Sequence, residues 1–153
     1  MKTRKKLLLT LVTTGLIAFL VSSAYAATES ITVEAGKEVS RTINLAAGDR
    51  TSITFTVTGP IPSTLHFYVV LPNGTTVNYG EANQLTTNFF TDVKGECQLN
   101  FDNSNTSDSQ LVTLNYDVEH FILGIPQLVF LLVAIAALLL VVVAGYIIMG
   151  KYG

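Results

Sequence analysis

One cysteine and two histidines are all that this 153-residue chain holds of the side chains most used for metal and nucleophilic chemistry. A lone Cys97 cannot close an internal disulfide, so stability has to come from a packed core. His66 and His120 stand isolated, with no second His or Cys at ligand spacing, and no metal centre is expected from them. There is no Gly-x-Ser-x-Gly elbow for a nucleophilic serine and no glycine-rich strand-to-helix turn to cradle a phosphate. The acids are scattered over turns and alternating stretches rather than set in a pair for acid and base work. No enzyme, cofactor or small-molecule substrate is therefore expected.

Positive charge is also scarce where it would matter. Lys2, Arg4, Lys5 and Lys6 open the chain and Lys151 nearly closes it, which leaves Lys37, Arg41, Arg50 and Lys94 against eleven Asp and Glu between them. That middle part carries a formal charge of about −7, a balance that disfavours nucleic acid or an anionic lipid surface as partner.

Both ends are apolar. Behind the four N-terminal cations comes an apolar run over 7–21 and then Ser22-Ser23-Ala24-Tyr25-Ala26. A basic start, a short apolar core and small residues at Ala24 and Ala26 predict a signal peptide over 1–26, cleaved after Ala26. At the other end no charged residue occurs over 121–150, and a transmembrane segment is expected there with its core at 128–149. A helix over that core rises ~33 Å, which matches a hydrocarbon layer of ~30 Å. Its Leu, Ile, Val and Phe residues favour insertion by roughly 4 to 8 kcal/mol together, and a small domain has no layer that could surround such a helix instead. The expected topology is a single span, with the N-terminal domain extracytoplasmic at the cell surface or in a lumen. The 151–153 tail is cytoplasmic and too short for a folded unit.

The remaining 27–120 is one small domain by size. In Ile53-Thr54-Phe55-Thr56-Val57-Thr58 apolar and hydroxyl side chains alternate, the pattern of a half-buried strand. Similar stretches run over 39–45, 65–71, 96–101 and 112–118, with weaker ones over 31–34, 75–79 and 85–90. Turn residues separate them: Ala35-Gly36, Ala47-Gly48-Asp49, Gly59-Pro60, Pro72-Asn73-Gly74, Lys94-Gly95 and the 102–108 run. Asn73-Gly74 is the strongest hairpin signal, because both residues tolerate positive φ. About eight short strands without a sustained helical period predict an all-β fold, an antiparallel two-sheet sandwich or jelly roll.

The closing part, Gly95-Glu96-Cys97-Gln98-Leu99-Asn100-Phe101-Asp102-Asn103-Ser104 followed by Val112-Thr113-Leu114-Asn115-Tyr116-Asp117-Val118, resembles the last strands of GOLD domains. These are the lumenal β-sandwiches of Golgi cargo receptors. The family's motif, a glycine opening a strand that ends in aromatic-Asp-Asn-Ser, falls here on Gly95, Phe101, Asp102, Asn103 and Ser104. The order of signal peptide, sandwich, last strand and single span is similar to the family's plan. The receptors' disulfide, their coiled coil before the membrane and their coat-binding tail signals have no counterpart in this chain. The resemblance thus implies a shared sandwich and topology in a minimal, prokaryotic or archaeal relative, and coat-linked transport does not carry over.

Cys97 shares its face with Leu99 and Phe101 and reads as a buried thiol. His66 alternates with Tyr68 on an exposed face, and His120 closes the domain at the membrane boundary. The 102–108 loop offers oxygen ligands of the kind Ca²⁺ takes, but lacks the glycine and distal Glu of an EF-hand and reads as a solvated hairpin loop. Asn73 and Asn105 head glycosylation sequons in turns. The expected function is a membrane-anchored, non-enzymatic binding or assembly module that recognises another surface or membrane protein. The alternative is a glycosylated structural tether of the cell envelope.

Overall fold

The computed structural model describes residues 25–151. The expected signal peptide lies outside the described residues except for Tyr25 and Ala26, as do Tyr152 and Gly153 of the tail. In chain order come β1 (Tyr25–Val33), β2 (Glu38–Leu45), β3 (Arg50–Thr58), β4 (Leu65–Val70), β5 (Thr76–Ala82), β6 (Gln84–Phe90), β7 (Gly95–Asp102) and β8 (Gln110–Glu119). Two short strands follow, β9 (Phe121–Ile122) and β10 (Ile125–Pro126), and then a helix, α1 (Gln127–Lys151).

Every expected strand is present. They form two antiparallel four-stranded sheets with the orders β1-β8-β3-β6 and β2-β7-β4-β5. Successive strands mostly cross from one sheet to the other, which is the connectivity of a jelly roll. β1 starts before the expected cleavage point, with Tyr25 opposite Val118 and Ala26 opposite Asp117. A chain cut after Ala26 keeps residues 27–33 in register on β8.

The alternation seen in the sequence is what closes the sandwich. In β3, Ile53, Phe55 and Val57 are buried while Ser52, Thr56 and Thr58 are exposed. Phe55 reaches across to Phe67 of β4 and Phe101 of β7, with ring centroids 4.9 and 5.3 Å away, and Phe67 and Phe101 lie 4.9 Å apart. The two contacts of Phe55 tie the sheets together at their centre, while Phe67 and Phe101 are cross-strand neighbours within one sheet; each pair adds about 0.5–1.5 kcal/mol to the area buried. On one open side the inward positions are charged: Arg41 of edge strand β2 pairs with Glu29 of edge strand β1 at 2.8 Å, half exposed. Charges pointing inward at an edge discourage further strand addition there.

The hairpin expected at Pro72-Asn73-Gly74 is present, with β4 and β5 paired antiparallel around it; of its residues Gly74 takes the positive φ, at 82°. Pro72 holds φ negative, so the loop takes three residues. Gly74 N donates to Leu71 O at 2.9 Å and Leu71 N donates to Thr75 O at 2.9 Å, the pattern of a turn closed by a glycine bulge. Of the apolar segment over 121–150, the expected core at 128–149 lies within the helix, which begins at Gln127. Leu123 has φ 54°, and Pro126 disfavours helical geometry at Ile125, so 121–126 forms β9 and β10 instead.

Within α1, residues Gln127–Ile148 are long and apolar enough to cross a membrane, and protein buries none of the span's most apolar window. A helix apolar on all faces and left uncovered has no partner in water.

Candidate functional site

The ends of the sandwich differ in how they are held. At the end from which the chain leaves β8 toward α1, the turn between β2 and β3 is closed by Asp49, 2% exposed. Its Oδ2 accepts from Ala46 N at 2.7 Å and its Oδ1 meets His120 Nδ1 at 2.7 Å. Thr91 N donates to Asp49 O at 3.0 Å, so the loop after β6 joins the same knot. His120 therefore does more than end the domain. Beside it Phe90, 62% exposed, has the Arg50 guanidinium 5.9 Å from its ring centre and the Phe121 ring at 6.3 Å.

At the opposite end three loops form one rim: 34–37 between β1 and β2, 59–64 between β3 and β4, and 103–109 between β7 and β8. Asn103, 1% exposed, is its hub. Asn103 Nδ2 faces Val33 O at 3.1 Å, Glu34 O at 3.1 Å and Asp108 O at 2.9 Å, and donates its two hydrogens among them. Asn103 N donates to Lys37 O at 2.8 Å and Gly36 N donates back to Asn103 O at 3.0 Å. The Thr106 hydroxyl bonds to Asn103 Oδ1 and, at 2.9 Å, to Asp108 O. A loop expected to be solvated is pinned at its root by a buried amide.

Gln110, also buried, fastens the third loop. Its Nε2 donates to Pro60 O and Pro62 O, each at 3.4 Å, and its Oε1 lies against Gly59. A Cβ on Gly59 would sit 2.1 Å from that oxygen, so any larger residue there has to displace the Gln110 amide. Two prolines and this clamp leave Ile61 at the loop tip, 93% exposed. An exposed isoleucine is ordinary by itself. One presented on a loop braced by a buried glutamine and two prolines is held in place before any contact forms, and ordering of that kind lowers the entropic cost of binding in general. The Gly59-Pro60 break marked a turn in the sequence; that an apolar residue between two prolines stood at its tip was the signal left unread.

The motif residues divide by role. Gly95 opens β7 opposite Leu45, and Phe101 sits in the core. Asp102 Oδ1 accepts from Ser104 N at 2.8 Å and from the Ser104 hydroxyl, turning the chain out of β7. Asp102, Asn103 and Ser104 thus lie together on the rim, with Gly95 at the far end of the same strand. Asn105 is exposed on the rim, its Nδ2 donating to Glu81 Oε1 at 3.2 Å. Asn73 is exposed at the other end of the sandwich, where its Oδ1 accepts from Thr75 N at 2.9 Å.

His66 and Tyr68 stand side by side on the outer face of β4, rings 5.8 Å apart. The Tyr68 hydroxyl donates to Glu38 Oε1 at 2.9 Å, and burial, then the Glu38 carboxylate, raise the phenol above its ordinary value. Cys97 is fully buried, and desolvation pushes its thiol up to about 12. It is an inert core side chain at neutral pH. Among the described residues no three His, Cys, Asp or Glu come together as metal ligands. An open groove of about 270 Å³ runs along the outer face of β1, β8 and β3 past Ala26, Thr28, Ser52 and Asn115, where the Thr28 hydroxyl already bonds to Asn115 Oδ1.

No protein-family model matches the chain, and none of the curated proteins matches it. Solved structures similar to it include PliG of Aeromonas hydrophila, a periplasmic inhibitor of g-type lysozyme, at 13% identity over 63% of this chain and 89% of that one, with a TM-score of 0.48. PliG of Salmonella Typhimurium is similar at 11% identity over 64% and 91%, with a TM-score of 0.45. The Yersinia pseudotuberculosis-derived mitogen is similar at 13% identity over 65% and 91%, with a TM-score of 0.47. Likeness at this level carries no function across; the sandwich is established by the strand order itself.

Proposed function

We propose that this chain is a single-pass membrane protein whose extracytoplasmic sandwich is a non-enzymatic binding module that recognises another surface or membrane protein through the braced rim. The observation that carries this reading is Ile61, held out to solvent on a clamped loop. A GOLD-like kinship fits the same picture, because Asp102, Asn103 and Ser104 build the root of that rim.

The test is capture from native membranes with the full-length chain and its Ile61→Asp variant, compared by quantitative mass spectrometry. The reading expects at least one membrane or surface protein that the parent retains and the variant loses by about tenfold, since removing one desolvated apolar anchor costs on the order of 1.4 kcal/mol or more. Equal capture by both chains, or none above background, ends it. Anchoring is tested separately: alkaline carbonate should leave the protein in the membrane, and protease added to intact cells or to lumen-exposed vesicles should digest 27–120.

A second reading, a glycosylated envelope tether, draws on the exposure of Asn73 and Asn105 at opposite ends of the sandwich. Intact mass on protein from the native cell decides it: the unmodified mass would remove its basis.

A further inference from the structure

The four edge strands of the sandwich are β1 and β6 in one sheet and β2 and β5 in the other. Three carry devices that discourage strand addition. β1 holds Glu29 and β2 holds Glu38 and Arg41, while β5 holds Glu81 and a bulge opposite Phe67 and Tyr68. β6 reads Gln84-Leu85-Thr86-Thr87-Asn88-Phe89-Phe90, with no charge and no proline, and its pairing to β3 runs without a register break. In a domain of about −7 formal charge, one uncharged, β-prone edge is a specific exception.

Backbone direction shows what that edge offers. Val57 N donates to Asn83 O at 2.7 Å and Thr91 N to Asp49 O at 3.0 Å, at the two ends of the β3–β6 ladder. In an antiparallel ladder bonded residues alternate, so the odd-numbered residues of β6 bond to β3. The amides and carbonyls of Gln84, Thr86, Asn88 and Phe90 therefore point to the open edge.

We infer that β6 pairs with β6 of a second copy of this chain, antiparallel about a two-fold axis through Thr87, joining the two β1-β8-β3-β6 sheets into one. The strand's own sequence favours a second copy, because an isologous contact needs a segment complementary to its reverse. About Thr87, Thr86 falls opposite Asn88, Leu85 opposite Phe89 and Gln84 opposite Phe90. On the outer face Thr86 and Asn88 meet as a polar pair and Gln84 meets the exposed Phe90 ring, while Leu85 and Phe89 meet on the half-buried inner face, where both already pack on the core. The same register sets the outward-pointing even residues against each other as hydrogen-bonded pairs. It places Thr87 against Thr87 as a non-bonded pair, with Cα atoms about 4.5 Å apart.

The test uses the full chain in detergent. Thr87→Cys should form an interchain disulfide under mild oxidation, whereas Ser30→Cys on β1 should not. Thr86→Pro removes an edge amide that β3 does not use, so it should weaken the dimer at least about tenfold by analytical ultracentrifugation while the melting temperature holds. Hydrogen exchange needs no variant: the Thr86 and Asn88 amides should be protected as concentration rises through the dimer range. Free exchange at Thr86 and Asn88 with a monomeric parent overturns the inference. So does a dimer that survives Thr86→Pro and gives no Thr87→Cys cross-link. A Thr87→Cys adduct to a different protein, with the parent chain monomeric, would instead assign the edge to a foreign strand and equally overturn it.

Discussion

Replacing Asn103 tests whether a buried amide, rather than apolar packing, holds the rim. Asn103→Asp keeps the shape of the side chain and removes the Nδ2 donor, leaving carboxylate oxygen near the carbonyls of Val33, Glu34 and Asp108, now 2.9 to 3.1 Å from Nδ2. Two hydrogens shared among three acceptors contribute about 2 kcal/mol net, at roughly 1 kcal/mol per bond. The desolvation cost of unpaired buried groups adds on the order of 1–3 kcal/mol. Asn103→Ala should therefore cost about 3–5 kcal/mol, and Asn103→Asp at least as much, because a charge now faces three carbonyl dipoles. For a domain of this size about 4–8 °C accompanies each kcal/mol, so thermal unfolding followed by circular dichroism should move down by at least about 12 °C. The main-chain bonds of Asn103 with Lys37 and Gly36 survive both changes, so any loss belongs to the side chain. If Asn103→Asp melted within a degree or two of the parent at neutral pH, the account of the rim as an amide-centred network would be wrong.

Cys97 predicts an alkaline effect. Its folded-state thiol lies at about 12 against an ordinary 9.0, so the unfolded chain loses this proton first and stability falls as pH rises between those values. The slope is at most about 1.4 kcal/mol per pH unit, and it should vanish in Cys97→Ala when denaturant midpoints of the two chains are compared across that window. Gly59→Ala should cost about 1–3 kcal/mol by driving the Gln110 amide off Pro60 O and Pro62 O, and the penalty should largely disappear in a Gln110→Ala background by a double-mutant cycle. Asp49→Ala should lower stability by about 2–3 kcal/mol in denaturant unfolding, since it strands Ala46 N and His120 together.

The strands were legible because period-two alternation is a local property that the sandwich merely obeys. Even the weaker stretches proved to be strands, and β1 and β5 extended beyond their apolar residues. β1 did so because the backbone of Tyr25 and Ala26 continues to pair with β8, opposite Val118 and Asp117. The apolar C-terminal run was legible from composition, since 121–150 holds no charge, while the helix within it begins only at Gln127, behind the positive φ of Leu123 and Pro126. The candidate site was legible only in pieces. Asp102-Asn103-Ser104 stood out as a turn, but that Asn103 is buried depends on carbonyls of Val33 and Glu34, distant in sequence. His120 read as a boundary residue because its partner, Asp49, belongs to a turn on the far side of the chain. Side chains whose partners are remote carry no periodic signature.

That division has a physical source. Apolar packing fills the middle of this sandwich, where Phe55, Phe67 and Phe101 meet, but two thin sheets supply no apolar layer on which loops can rest at either end. The ends are held by buried polar groups instead, Asn103 and Gln110 at the rim and Asp49 with Thr91 at the other. Hydrogen bonds fix direction as apolar contact does not, so loops braced this way keep a defined shape while their tips are free to vary. Ile61 is such a tip: its side chain takes no part in the bracing, and on the proposed function substitutions there should alter capture of a partner without altering how the domain melts. Asn103 and Gly59 are bracing positions, where binding and stability should fall together. The two classes of position are thereby separable by experiment, and a loss of binding at Ile61 accompanied by a fall in melting temperature would show that the tip helps to hold the loop after all.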